Sequence, residues 1–160
     1  MRREQAAYPM KRTDEVMRIN DAEMRKLIDA ALAARGQSYS PYSGYAVGAS
    51  VLATDGTIYA GCNVENAAYP LGFCAEANAI GNMIMGGGSQ IVHVVVAGPC
   101  SDVCTPCGGC RQQIREFTNA EDTPVTICDA DGAIILETNI GALLPNSFGP
   151  ENLSNAEAAK

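Results

Sequence analysis

The chain has 160 residues, 47% of them hydrophobic and 18% charged, which suits one globular domain with a substantial core. A formal net charge of −7 leaves no basic stripe for a nucleic-acid surface, so long DNA or RNA is excluded as a favoured partner. No apolar run approaches the roughly 20 residues that span a bilayer, and residues 1–19 lack the apolar stretch of a secretory signal, so a flexible arm and a cytoplasmic location are expected.

The first element follows that arm. Asn20 and Glu23 form a capping-box pattern, Met24, Leu27, Ile28, Ala31 and Leu32 recur at helical spacing, and Gly36 stops the run. The segment 38–44 (SYSPYSG) is turn chemistry. Residues 46–53 read as a strand, Asp55-Gly56 as a hairpin turn and 57–62 as the return strand. After the polar stretch 63–69, a helix is predicted to begin around 71–74 and to end at Gly86–Gly88. The run 91–97 (IVHVVVA) is apolar and β-branched, as a buried strand requires. A loop carrying Cys100, Cys104 and Pro106 leads to a helix over 107–117. Strands at 124–128 and 133–137 flank the Asp131-Gly132 turn, and a helical turn at 140–144 stops at Pro145. This order predicts a three-layer α/β/α sandwich around a five-stranded mixed sheet. It forms a single domain over 20–153, with a tail at 154–160.

Seven cysteines in a reducing compartment read as metal ligands, catalytic groups or small core residues. Cys107-Gly108-Gly109-Cys110 is a metal clip at a predicted helix start, where the helix dipole favours thiolates. Alone, that pair fits a structural zinc knuckle equally well. Cys74, at another predicted helix start, adds a third thiolate, and Glu76 adds a carboxylate two residues on. Three thiolates make an open zinc site of the catalytic kind, and a carboxylate beside it can shuttle protons. The arrangement resembles the signature of zinc deaminases, which combine such a thiolate site with a non-ligand glutamate. A competing spacing, Cys100-x₃-Cys104-x₂-Cys107, is that of an iron–sulfur cradle, but it leaves Glu76 unexplained. Cys62, Cys128 and His93 are expected to be structural.

Several stretches, namely 41–43 (PYS) with 45–49 (YAVGA), 63–76 (NVENAAYPLGFCAE), 106–112 (PCGGCRQ) and 143–153 (LLPNSFGPENL), closely resemble cytidine deaminase of the small homotetrameric type. The resemblance runs from about Leu27 to Leu153. It implies that Cys74, Cys107 and Cys110 bind Zn²⁺ and that Glu76 is the proton shuttle. It implies that Asn63 and Glu65 hold the ribose 3′-hydroxyl and that Tyr45 and Val47 line the base pocket. The Ala75 N–H and Thr105 carbonyl would read the pyrimidine edge, and Phe148 would pack on the base. The implied reaction converts cytidine and 2′-deoxycytidine to uridine and 2′-deoxyuridine with release of ammonia, as in pyrimidine salvage. A small-molecule nucleoside is then the partner, in a homotetramer whose sites are completed by neighbouring chains.

The chain departs from the family pattern after Glu76, where Ala77 stands in place of Arg. A guanidinium there would blunt the negative charge of three thiolates, so Arg111 or the backbone N–H groups of the two helix starts are expected to compensate. The vacancy keeps a modified substrate open, either an N4-substituted cytidine or a blasticidin-like nucleoside. The remaining alternative is a zinc-stabilised binding module without activity.

Overall fold

A computed structural model describes residues 19–119 and 122–153. Residues 1–18 of the expected arm and the tail at 154–160 lie outside the described residues. Ile19, the last residue assigned to the arm, already packs against a core cluster.

In chain order the elements are α1 (Asp21–Arg35), β1 (Gly48–Ala53), β2 (Ile58–Cys62), a 3₁₀ turn (Tyr69–Leu71) and α2 (Ala75–Met85). They continue with β3 (Ile91–Ala97), α3 (Gly108–Glu116), β4 (Pro124–Cys128), β5 (Ile134–Asn139) and α4 (Ile140–Leu143). The capping box at Asn20 and Glu23 forms in both directions, each side chain accepting the other residue's backbone N–H. Gly56, at φ 83°, supplies the left-handed residue of the β1–β2 turn.

The sheet has the order β2-β1-β3-β4-β5, with β3 and β4 parallel and the other neighbours antiparallel. It is therefore mixed, and α3 provides the crossover that a parallel pair needs. Strand alternation sorts the core into two faces. On one face Ala49, Val51, Val94, Val96, Val125 and Ile127 pack with Ala79, Ile80 and Met83 of α2, Ile114 of α3 and Ile140 of α4. On the other, Leu52, Val95, Ala97 and Cys128 meet Leu27, Ile28 and Ala31 of α1. The sheet lies between two helical layers, as the element order predicts.

The larger boundary differences from the sequence-based expectation fall at three elements. The strand predicted from residue 46 begins at Gly48, because Ala46 and Val47 bond side chains: Arg35 Nε donates to Ala46 O at 3.2 Å and Val47 N to Asn63 Oδ1 at 2.8 Å. The helix predicted to begin at 71–74 starts at Ala75; Pro70 sits in a separate 3₁₀ turn, and Gly72 is extended. The last strand starts at Ile134 and continues to Asn139, whose side chain caps α4 by accepting from Ala142 N.

Helix α2 lies hard against the edge strand β2. A Cβ at Gly61 would sit 2.4 Å from Ala79 N and 2.7 Å from Ala75 O, so only glycine permits this approach. The edge itself is covered. Thr57 O accepts from Ala53 N, and Asn63 N donates to Val47 O, so odd-numbered residues of β2 face β1 and even-numbered ones face outward. Two of the outward carbonyls are taken by α2: Asn78 Nδ2 donates to Cys62 O and Asn82 Nδ2 to Ala60 O, each at 2.8 Å.

His93, the single histidine, is 5% exposed and shares the α1 face with its antiparallel neighbour Leu52. Its Nε2 lies 2.9 Å from Thr126 Oγ1, and burial pushes its pKa down to about 4. It is a satisfied core residue, as expected. Folding favours its neutral form, so its contribution is full above pH 6.5 and is lost as pH falls toward 4. The total is about 3 kcal/mol. Urea unfolding at pH 7 and pH 5 should show wild type losing about 2 kcal/mol more than His93→Gln. Equal losses in the two proteins would remove His93 from the account.

Candidate active site

The fold brings two helix N-termini to one place. Strand β3 begins where α2 ends, so the start of α2 lies at the far end of β3, where the chain turns into α3. Cys74 caps α2 and Cys107 caps α3, both in extended backbone conformation, and Cys110 lies one turn into α3. All three Sγ atoms fall within 4.8 Å of one another, and Cys74 Sγ is 3.8 Å from Cys107 Sγ. A tetrahedral zinc site with Zn–S bonds of about 2.3 Å needs sulfurs about 3.8 Å apart, so the donor set fits one ion. Among the described residues this is the cluster whose ligand atoms close on a single point. Cys100 and Cys104 stand outside it, so the iron–sulfur spacing is not assembled.

Glu76, in the first turn of α2, is 4% exposed, and the Cys110 thiol donates to its Oε2 at 3.4 Å. It touches the thiol cluster without joining it. Burial pushes the Glu76 carboxyl upward. Burial also raises Cys74 and Cys110, and the nearby Glu76 charge adds to both shifts. Cys107 moves the other way, lowered first by the backbone N–H of Cys110. Buried acids that resist one another's ionisation call for a cation between them.

Of the two groups expected to compensate for Ala77, Arg111 turns to oxygen acceptors. Arg111 donates through Nε to Pro106 O at 2.7 Å, through Nη1 to Leu143 O at 2.8 Å and through Nη2 to Thr105 Oγ1 at 3.0 Å. Its fork is engaged by the loop before Cys107 and by the end of α4, not by sulfur. The N–H of Cys110 takes the supporting role at Cys107.

Asn63 and Glu65 follow β2 and hold the loop 38–47. Asn63 Oδ1 accepts from Val47 N at 2.8 Å and from Ser38 Oγ at 2.5 Å, while its Nδ2 donates to Tyr45 O at 2.8 Å. Glu65 Oε2 accepts from the N–H groups of Tyr42 and Ser43 at 2.8 and 3.2 Å, and its Oε1 accepts from Ser43 Oγ. The Ser43 hydroxyl and then those backbone donors lower the Glu65 pKa, keeping it ionised. Capacity remains in both groups: an amide nitrogen has two N–H donors and a carboxylate oxygen accepts more than one bond. An open cavity of about 330 Å³ lies beside Glu65, walled also by Tyr42, Ser43, Asn66, Tyr69 and Gly72. Its lining includes neither the thiols nor Glu76.

The other expected contacts are spread more widely. Ala75 is fully buried at the first position of α2, where a backbone N–H has no intrahelical partner. Val47 packs at the margin of the core. The Tyr45 hydroxyl meets the Cys104 thiol, and this contact with burial pushes its pKa up to about 12. Phe148 is 59% exposed, and its carbonyl accepts from Gln112 Nε2 at 2.9 Å. The neighbouring Ser147 and Glu151 bind Arg115, which is 3% exposed on α3. Sequence reasoning assigned no role to Ser38, Ser43 or Arg115. Of these, only Ser43 carried a signal, through its place in the motif at 41–43.

The chain is similar to known proteins over most of its length. The family model described as the cytidine and deoxycytidylate deaminase zinc-binding region matches residues 21–126. Cytidine deaminase of Sporosarcina psychrophila is 42% identical over 134 residues, spanning 84% of this chain and 97% of that protein. The crystal structure of cytidine deaminase from Burkholderia pseudomallei superposes with a TM-score of 0.72 at 37% identity, covering 78% of this chain and 98% of that one. The Mycobacterium tuberculosis enzyme gives 0.69 at 34% identity, covering 82% and 99%. This chain belongs to the cytidine and deoxycytidylate deaminase family of zinc enzymes.

Proposed function

We propose that the chain hydrolyses cytidine and 2′-deoxycytidine to uridine and 2′-deoxyuridine with release of ammonia. The observation that carries this reading is a buried carboxyl, Glu76, whose pKa burial raises, set against a three-thiol cluster sized for zinc. Cys74, Cys107 and Cys110 would hold the ion, and zinc bound there would supply Lewis-acid activation of water. Glu76 takes a proton from the attacking water and passes it to N3 of the base, then takes the proton of the hydroxyl added at C4 and passes it to the departing amine, leaving the C4 carbonyl. Each reaction consumes one water and yields one ammonia. The Ala75 N–H and Thr105 carbonyl read the pyrimidine edge, and Tyr45 and Val47 wall the base.

Asn63 and Glu65 receive the 3′-hydroxyl: the spare amide N–H donates to its oxygen, and Glu65 accepts its proton. A carboxylate held ionised at the sugar end disfavours a phosphate there, so a nucleoside is preferred over a nucleotide. The unit that does this is the domain over 20–153, working in the cytoplasm in pyrimidine salvage. We assign it to a homotetramer, which gives the exposed Tyr69, Leu71, Phe73 and Phe148 a neighbour to cover them. Phe148 then packs on the base of an adjoining site. No helix among the described residues is long and apolar enough to cross a membrane.

Ala77 supports a second reading, in which N4-substituted cytidines are also accepted. The position beside Glu76 is small, and Arg111, next to Cys110 in the chain, binds oxygen acceptors. An ultraviolet assay over cytidine, 2′-deoxycytidine, N4-methylcytidine, cytidine monophosphate and free cytosine tests both. Loss of cytidine and deoxycytidine absorbance, with little change for the monophosphate and cytosine, is the expected pattern. Preferred turnover of the monophosphate would reject the nucleoside assignment. N4-methylcytidine turnover that persists in Ala77→Arg at the wild-type rate would reject the second reading.

A further inference from the structure

Asn78 has no part in the chemistry above, yet it stands between the two halves of the site. It is two residues after Glu76 on α2, and its Nδ2 donates to the carbonyl of Cys62 at 2.8 Å. Asn63 is the next residue. Its backbone is held on one side by the loop 38–47, through Asn63 N to Val47 O and Tyr39 N to Asn63 O, each at 3.1 Å. On the other side, the Asn78 bond anchors the peptide that enters Asn63 to the helix carrying Cys74 and Glu76.

We propose that Asn78 is a positioning residue for the sugar end of the substrate: it ties the Cys62–Asn63 peptide to the metal-site helix and so fixes where Asn63 presents its amide. This role rests on the deaminase reading and on a 3′-hydroxyl bound by Asn63. Asn82 provides an internal control. It lies one turn further along α2 and makes the same bond, of the same length, to Ala60 O in the same strand. Any general effect of uncovering an edge carbonyl is shared by the two residues. Of the two, only Asn78 bonds the peptide that enters Asn63.

The test compares cytidine with 3′-deoxycytidine in wild type, Asn78→Ala, Asn78→Ser and Asn82→Ala, with zinc content and melting temperature measured in each. Asn78→Ala should lower kcat/KM for cytidine about tenfold and leave 3′-deoxycytidine within about twofold, the loss of one well-placed hydrogen bond. Asn78→Ser retains the fold if alanine does not, and should show the same selective loss. Asn82→Ala should keep the wild-type preference. Equal losses on both nucleosides, or the same selective loss in Asn82→Ala, would overturn the role of Asn78. A wild type that deaminates neither nucleoside refutes the deaminase reading itself. A wild type that prefers cytidine while the Asn78 variants keep that preference overturns the positioning role alone.

Discussion

Replacing Glu76 with Gln should lower kcat by at least about a thousandfold, the upper range for a single proton-transfer group, while zinc stays bound at one ion per chain. The substitution keeps the shape of the side chain and its place in the first turn of α2. It removes only the ability to accept and release a proton. Because Glu76 is a buried carboxylate beside three sulfurs, the variant should be no less stable than wild type. Single-turnover deamination, metal analysis and thermal melting check the three statements together. Activity within tenfold of wild type would reassign the proton shuttle, and loss of zinc would make Glu76 a ligand.

Replacing Cys110 with Ala should abolish zinc binding and activity together and destabilise the fold. Cys110 is 2% exposed, lies in α3 and packs toward Glu76 and Cys74. Free zinc at about 100 times its dissociation constant stabilises the folded chain by about 2.7 kcal/mol. Losing that lowers the melting temperature by roughly 5–10 °C in a domain of this size. Cys128→Ala is the matched comparison: equally buried, but on the α1 face of the sheet. It should retain zinc and activity at a packing cost of about 1 kcal/mol. Zinc retained by Cys110→Ala, or lost by Cys128→Ala, would contradict the ligand assignment.

The parts of the fold legible in the sequence are those encoded locally. The Asn20–Glu23 box, the Asp55-Gly56 turn and the β-branched run of β3 each form from residues a few positions apart. The thiol cluster was legible for a related reason. Each cysteine sits at or near a helix start, and the βαβ arrangement brings those starts together. Boundaries shifted where side chains took over the backbone, as when Asn63 claims Val47 N across 16 residues. The Cys62–Asn78 and Ser147–Arg115 bonds join residues 16 and 32 apart, and nothing in local pattern announces them. Arg111 shows the converse. Its position after Cys110 suggested support for sulfur, but three oxygen acceptors within reach claim the guanidinium instead.

Stripping the protein of metal and restoring zinc in measured fractions, with cytidine absorbance as the readout, separates a zinc-dependent deaminase from a zinc-stabilised fold. Deamination should be absent in the stripped protein and rise in proportion to added zinc. It should level off at one ion per chain. Turnover that survives metal removal, or a fully zinc-loaded protein that leaves cytidine unchanged, would contradict the account.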